Sequence, residues 1–199
     1  MASKKSMSDL VTRVCDLLQA TKSCQSVKGG RPKLFPPAND KEIRAAEEKY
    51  GWKFPPSYVE FLKVTNGLVG YDGVFTFIGV SGKETDKALR EIKKCRKMIT
   101  EEWQDEHGSA TDSAIAAFEK KMNLKKETEE EAHVYAGNKL IFGADFFNSI
   151  YYFVDRPGKG KDSAVVWRDN QGGIVFDDNF RAMLEKDIKI LENRLKDMG

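Results

Sequence analysis

The sequence predicts an α+β fold with an antiparallel C-terminal sheet, and three observations lead to it. Three or four short β-type runs crowd into the last third of the chain, at Leu140–Phe142, Ile150–Val154, Ala164–Trp167 and Ile174–Phe176. The connections between them are too short for helical crossovers, so neighbouring strands must pair antiparallel. Stretches with helical period stand before and after the strands instead of alternating with them, which argues against a parallel βαβ arrangement.

Taken in order, Leu10, Val14, Leu17 and Leu18 recur at helical spacing, and with Ser8 as N-cap they predict an amphipathic helix over about residues 9–20. "KGGRPKLFPPAND" (Lys28–Asp40) reads as a linker or an extended lead-in. Asn39 with Glu42 forms the capping pair of a second helix, which carries Ile43, Ala46 and Tyr50 on one face and ends at Gly51. In "FPPSYVEFLKVTNG" (Phe54–Gly67) the proline pair holds the entrance extended. The third helix then starts either from a Ser57/Glu60 capping box or with Pro56 as its first residue. Tyr58, Phe61, Leu62 and Thr65 share a face, and Asn66–Gly67 is expected to stop the helix with Gly67 left-handed.

Gly73–Val80 reads as a strand, and "KETDKALREIKKCRKMITEEW" as a long helix with Leu89, Ile92, Ile99 and Trp103. A further helix is expected around Ile115, Phe118 and Met122. Leu124–His133 is a charge run, read as a solvated loop or helix end. "RPGKGKDS" (156–163) and "DNQGG" (169–173) read as hairpin turns rather than phosphate or calcium loops, because both lack the required spacing. The last helix, about Asn179–Lys196, presents Phe180, Met183, Leu184, Ile188, Leu191 and Leu195.

The 199 residues suffice for one domain with a substantial core. No apolar run approaches the roughly 18 residues of a membrane span. Thr12, Arg13 and Asp16 interrupt any apolar leader, so no secretory signal is expected. Cys15, Cys24 and Cys95 form no disulfide or metal framework, which points to the cytoplasm. His107 and His133 stand apart in polar stretches, and no nucleophile, Walker or metal-site motif is present. No catalytic residue, metal or cofactor is therefore expected, and neither direct nucleic-acid binding nor a membrane partner. Residues 1–34 hold seven basic against two acidic groups, leaving 26 of 33 basic and 29 of 31 acidic residues to the remainder. The basic segment is read as a solvated arm.

Together, "FPPANDKEIRAAEEKYGWKFPPSYVEFLKVTNG" resembles the N-terminal signature of the SUKH superfamily, the domain of fungal cell-wall synthesis regulators and bacterial toxin-immunity proteins. The resemblance is carried by Pro37, Glu42, Ile43, Glu47, Gly51, Phe54, Pro55, Tyr58, Phe61, Leu62, Asn66 and Gly67. "LIFGAD", "SIYYFVD", "AVVWRDN" and "FDDNFRAMLE" match more generically, so the likeness spans about residues 35–187. Two features depart from the pattern: "DFFNS" replaces a Gly-Asp pair before the Ile-Tyr strand, and the middle section is enlarged. The expected organisation is an N-terminal helix and basic linker over 1–34 and a single SUKH-like domain over 35–199, with 81–133 as an enlarged helical insertion.

The resemblance implies an α+β domain with a twisted, mainly antiparallel sheet packed by helices, and a non-catalytic binding module. The first expectation is an immunity protein that binds and neutralises a cognate bacterial toxin, with a nuclease as the candidate class. The alternative is a regulatory interaction domain like the fungal members. Two acidic runs in the enlarged section are the expected partner-binding surface: Glu101, Glu102 and Asp105 around Trp103, and Glu129, Glu130 and Glu131. Trp103 is read either as the aromatic anchor of that surface or as a core-packing residue. Gly51, Pro55, Tyr58, Phe61, Leu62, Asn66 and Gly67 are expected to be structural.

Overall fold

The computed structural model of the chain describes residues 5–23, 30–121, 135–145, 150–155, 164–169 and 174–198. Its strands are β1 (Lys33–Leu34), β2 (Leu68–Tyr71), β3 (Phe75–Phe77), β4 (Leu140–Ala144), β5 (Ile150–Asp155), β6 (Ala164–Asp169) and β7 (Ile174–Asp177). They form one sheet in chain order, every neighbouring pair antiparallel. The helices are α1 (Met7–Ala20), α2 (Asp40–Tyr50), α3 (Pro56–Leu62), α4 (Lys83–His107), α5 (Asp112–Lys121) and α6 (Phe180–Asp197). The expected α+β architecture is the one observed. β3 pairs directly with β4, although a long stretch of chain separates them, with Thr76 opposite Ala144 and Phe77 opposite Gly143. A long excursion inserted at such a point leaves the strand order undisturbed, and loop-closure entropy grows only slowly with its length.

Tyr58 lies at the centre of the core. Its ring centroid is 5.2 Å from Phe61, 5.3 Å from Phe142, 5.5 Å from Phe153 and 5.0 Å from Phe180, which joins α3, β4, β5 and α6 in one aromatic cluster. Offset and edge-on pairs of this kind add to what area burial alone contributes. The phenol donates to Ile78 O at 2.7 Å, and full burial pushes its pKa well above the ordinary value because an ionised oxygen there would be desolvated. Phe142 faces this cluster, whereas Ile141 lies beside Leu89 and Ile92 of α4. The sheet is thus covered by α3 and α6 on one face and by α4 on the other, and all five residues of β4 are buried.

The segment read as an N-terminal arm contributes to this core. Met7, Leu10, Val11, Val14, Cys15, Leu17 and Leu18 of α1 are buried in it, and α1 packs on α6 and α3. Arg13 pairs with Glu192 at 2.7 Å and Arg31 with Asp16 at 2.6 Å, so part of the basic excess of residues 1–34 is spent on fixing this helix and its exit.

Several local expectations are corrected. The N-cap of α1 is Ser6, not Ser8, and it forms a reciprocal capping box with Asp9. The Asn39/Glu42 box and the left-handed Gly51 are as expected. α3 has no Ser57/Glu60 box: Pro55 is the cap, Pro56 the first helical residue, and Ser57 Oγ is buried without a partner. Glu60 instead pairs with Arg181 of α6 at 2.7 Å. α3 also ends at Leu62, ahead of Asn66–Gly67, because Val64 and Thr65 both donate back to Phe61 O and a turn follows. Leu195, expected on the buried face of α6, is 38% exposed. β1 and β2 were not anticipated. Cys24, Met122, the charge run 124–133 with His133, the turns at 156–163 and 170–173, and the "FFNS" of 146–149 lie outside the described residues.

Candidate interaction surface

Two regions singled out in the sequence are the candidates: the signature stretch, and the acidic second half of α4. The signature residues build the fold. Asn66 Oδ1 accepts from Val80 N at 2.6 Å, its Nδ2 donates to Ser81 O at 3.4 Å, and its backbone N–H donates to Pro36 O at 3.3 Å. One residue therefore ties the proline lead-in, the exit of α3 and the loop after β3 together. Gly67 follows with φ of +91°, and a side-chain carbon there would stand 2.8 Å from Phe77 O and 2.9 Å from Gly79 N. Glu47 accepts from Phe54 N at 2.9 Å and pairs with Lys53, fixing the α2–α3 connection. Tyr58, Phe61 and Leu62 are buried at the core centre, and the Pro55–Pro56 step starts α3. None of these side chains offers a free reactive group to solvent.

α4 is different. After Ile92 and Cys95 it runs past the main core and makes a second, smaller apolar cluster with α5, in which Trp103, Ile115 and Tyr135 are buried and Ile99 and Phe118 pack against them. Trp103 lies 5.1 Å from Tyr135, 4.8 Å from Phe118 and 4.4 Å from His107 between ring centroids, and its Nε1 donates to Ser109 O at 3.4 Å. The indole is only 8% exposed, so the expectation of an exposed aromatic anchor is corrected in favour of packing, here in the satellite cluster. Periodicity could not separate the two readings, because the partners Tyr135 and Ile115 come from elsewhere in the chain.

With Trp103 turned inward, Glu101, Glu102, Asp105 and Glu106 are all exposed. Glu101–Asp105 and Glu102–Glu106 are like-charge pairs one turn apart, which weaken a helix. They also occupy the C-terminal end, where the helix dipole favours cations. Lys97 offsets part of this through Glu101 at 3.6 Å, and His107 lies 3.6 Å from Glu106. At Asp105 and Glu106, in the last turn, cations would suit the helix dipole better than these carboxylates do. Glu129, Glu130 and Glu131 lie outside the described residues. Among the described residues no group of three or more His, Cys, Asp or Glu side chains is placed to hold a metal, and no helix is long and apolar enough to cross a membrane.

Among the described residues, a seven-stranded antiparallel meander with α3 and α6 on one face and α4 on the other defines an α+β domain. The family model described as "SMI1 / KNR4 family (SUKH-1)" matches residues 37–186, and the chain belongs to that family. α1, which completes the core, lies before the matched region. No curated protein matches the chain.

Proposed function

We propose that this protein is a non-catalytic, cytoplasmic immunity protein that neutralises a cognate bacterial toxin by direct contact, with a nuclease as the toxin class and the acidic end of α4 as the contact surface. Membership of the family supports an immunity or regulatory role in general terms. The observation that carries the finer reading is the exposed array of Glu101, Glu102, Asp105 and Glu106 on a helix end whose own stability it opposes. A nuclease must present basic groups to phosphate, and such a surface is complementary to carboxylates. Burial of Trp103 does not remove this role: it fixes the rotation of α4, so the carboxylates are held outward together. Glu129, Glu130 and Glu131 are proposed to extend the same surface.

The test is charge reversal, Glu101→Lys, Glu102→Lys and Asp105→Lys together, in a strain expressing the candidate toxin. The substituted protein is expected to fold, because all three positions are exposed, where single substitutions usually shift stability by no more than about 0.5 kcal/mol each. Association should slow by about tenfold or more at low salt, the scale on which charge steering acts, and protection should be lost. Wild-type association should weaken as salt rises. Full protection by the reversed protein, together with salt-insensitive binding, would remove this surface from the proposal.

A further inference from the structure

Beside the same helix, but distinct from its acidic end, lies a concave pocket of about 230 Å3 between the α2–α3 connection, α4 and β4. Its walls are mainly apolar, from Tyr50, Trp52, Leu89, Ile92, Leu140 and Ile141. Two cations line it, Lys93 and Arg96, and among the described residues no acidic side chain does.

Arg96 is the unusual member. Its guanidinium carbon sits 5.2 Å from the centroid of the Trp52 ring, and Nη2 donates to Lys139 O at 2.8 Å. The stacking and this one bond hold the group in place. Its Nε is buried without any acceptor, and among the described residues no carboxylate pairs with it. On the same helix Glu91 pairs with Lys94 at 3.0 Å and Glu101 with Lys97 at 3.6 Å. Burial draws the guanidinium pKa below its ordinary value, in keeping with a cation that has lost water and gained no counter-ion. A half-buried cation with an orphan donor at the wall of an apolar pocket is an incomplete arrangement, since buried charges are ordinarily paired.

We propose that this pocket is a binding site for a small apolar carboxylic acid, a free molecule with one aromatic ring or a short branched chain, whose carboxylate pairs with Arg96 while its apolar body rests on Leu89, Ile92 and Ile141. Three features select that chemistry. The planar guanidinium fork matches a carboxylate. The walls reward an apolar body, and Tyr50, the hydroxyl-bearing side chain among the described lining residues, already donates to Val80 O at 3.2 Å. The volume falls below the roughly 300–1,000 Å3 of sites for drug-sized ligands, which limits the occupant to a single ring or its equivalent. Lys93, next to Arg96 along the pocket rim by one helical turn, reinforces the positive potential at its mouth. The site is independent of the proposed toxin surface, so either can fail without the other.

The experiment uses the full chain, titrated by calorimetry with phenylacetate and 3-methylbutanoate, and with phenylacetamide as the neutral match to the first. Both acids should bind saturably at one site and raise the thermal midpoint. The amide should bind at least about tenfold more weakly, the scale of losing one charge-assisted interaction. Arg96→Met keeps an unbranched apolar stem over Trp52 and removes the charge, and it should lose the preference for acid over amide. Since Arg96 also supports the Lys139 carbonyl, a second variant, Leu89→Phe, fills the pocket from a half-buried wall position and leaves Arg96 intact. It should fold and lose binding of both acids. Absence of saturable binding by either acid, equal binding of acid and amide, or unchanged acid binding in folded Arg96→Met or Leu89→Phe would each overturn the proposal.

Discussion

Gly67 and Gly51 are both left-handed, with φ of +91° and +69°, yet the structure gives alanine different consequences at the two positions. An L-residue in the left-handed region costs roughly 1–2 kcal/mol wherever it occurs. At Gly51 nothing lies within 4 Å of an added side-chain carbon, so the conformational cost stands alone. At Gly67 the same carbon meets Phe77 O at 2.8 Å and Gly79 N at 2.9 Å. Both are backbone atoms of the segment that β2 pairs with and Asn66 clamps, so neither can swing aside as a side-chain tip would. Overpacking of this kind adds about 1–3 kcal/mol. Gly67→Ala is therefore expected to cost about 2–5 kcal/mol and Gly51→Ala about 1–2. For a domain of this size each kcal/mol lowers the thermal midpoint by about 2–4 °C, which makes the gap between the variants measurable. Thermal and urea unfolding of both proteins, beside wild type, provide the assay, and Gly67→Val should lie at or beyond the alanine value. If Gly67→Ala costs no more than Gly51→Ala, the close approach to the Phe77–Gly79 backbone does not constrain this turn, and the reasoning fails.

Trp103→Ala should cost about 3–5 kcal/mol where it acts. Because Trp103 belongs to the satellite cluster, the loss should appear as faster hydrogen exchange in α5 and the end of α4, with exchange in α1 and α6 little changed. Uniform acceleration across the chain would show that the two clusters unfold as one. At acid pH, Asp9, Asp40 and Glu192 matter. Ser6 holds the Asp9 carboxyl low through side-chain and backbone hydrogen bonds, Lys63 does so for Asp40, and Arg13 for Glu192. A folded-state pKa below the unfolded one contributes stability that is present at neutrality and lost as pH falls from 3.8 through the folded value for the aspartates, and from 4.5 for Glu192. Asp9→Asn should lose less of its thermal midpoint than wild type on acidification through that range, and an equal loss would refute the coupling.

Elements whose signals are local could be read from the chain alone. α2 was legible because Asn39, Glu42 and Gly51 satisfy both helix ends within a short stretch. The strands β4 to β7 were legible because apolar runs of strand length alternate with turn residues, and their short connections left only antiparallel pairing. The shared signature, from the proline pair to Asn66–Gly67, was readable as structure for the same reason, although α3 stopped at Leu62, a turn earlier than the glycine suggested. Packing across the fold settled the rest. β1 and β2 exist through their partners: Lys33 and Leu34 pair with Val69 and Leu68, and neither segment has a period long enough to read. Ser6 displaced Ser8 as the cap of α1 because burial of Met7 against the core fixes where the helix begins. Trp103 turned inward because Tyr135 and Ile115 arrived to cover it. The pocket of Arg96 could not be read at all: Trp52 and Lys139 are remote from it along the chain, one on either side. Only the folded chain brings an aromatic face and a carbonyl to one guanidinium while leaving it without a carboxylate. Periodicity and capping report on neighbours along the chain, whereas the pairing of a strand edge and the desolvation of a charge depend on what packs across space.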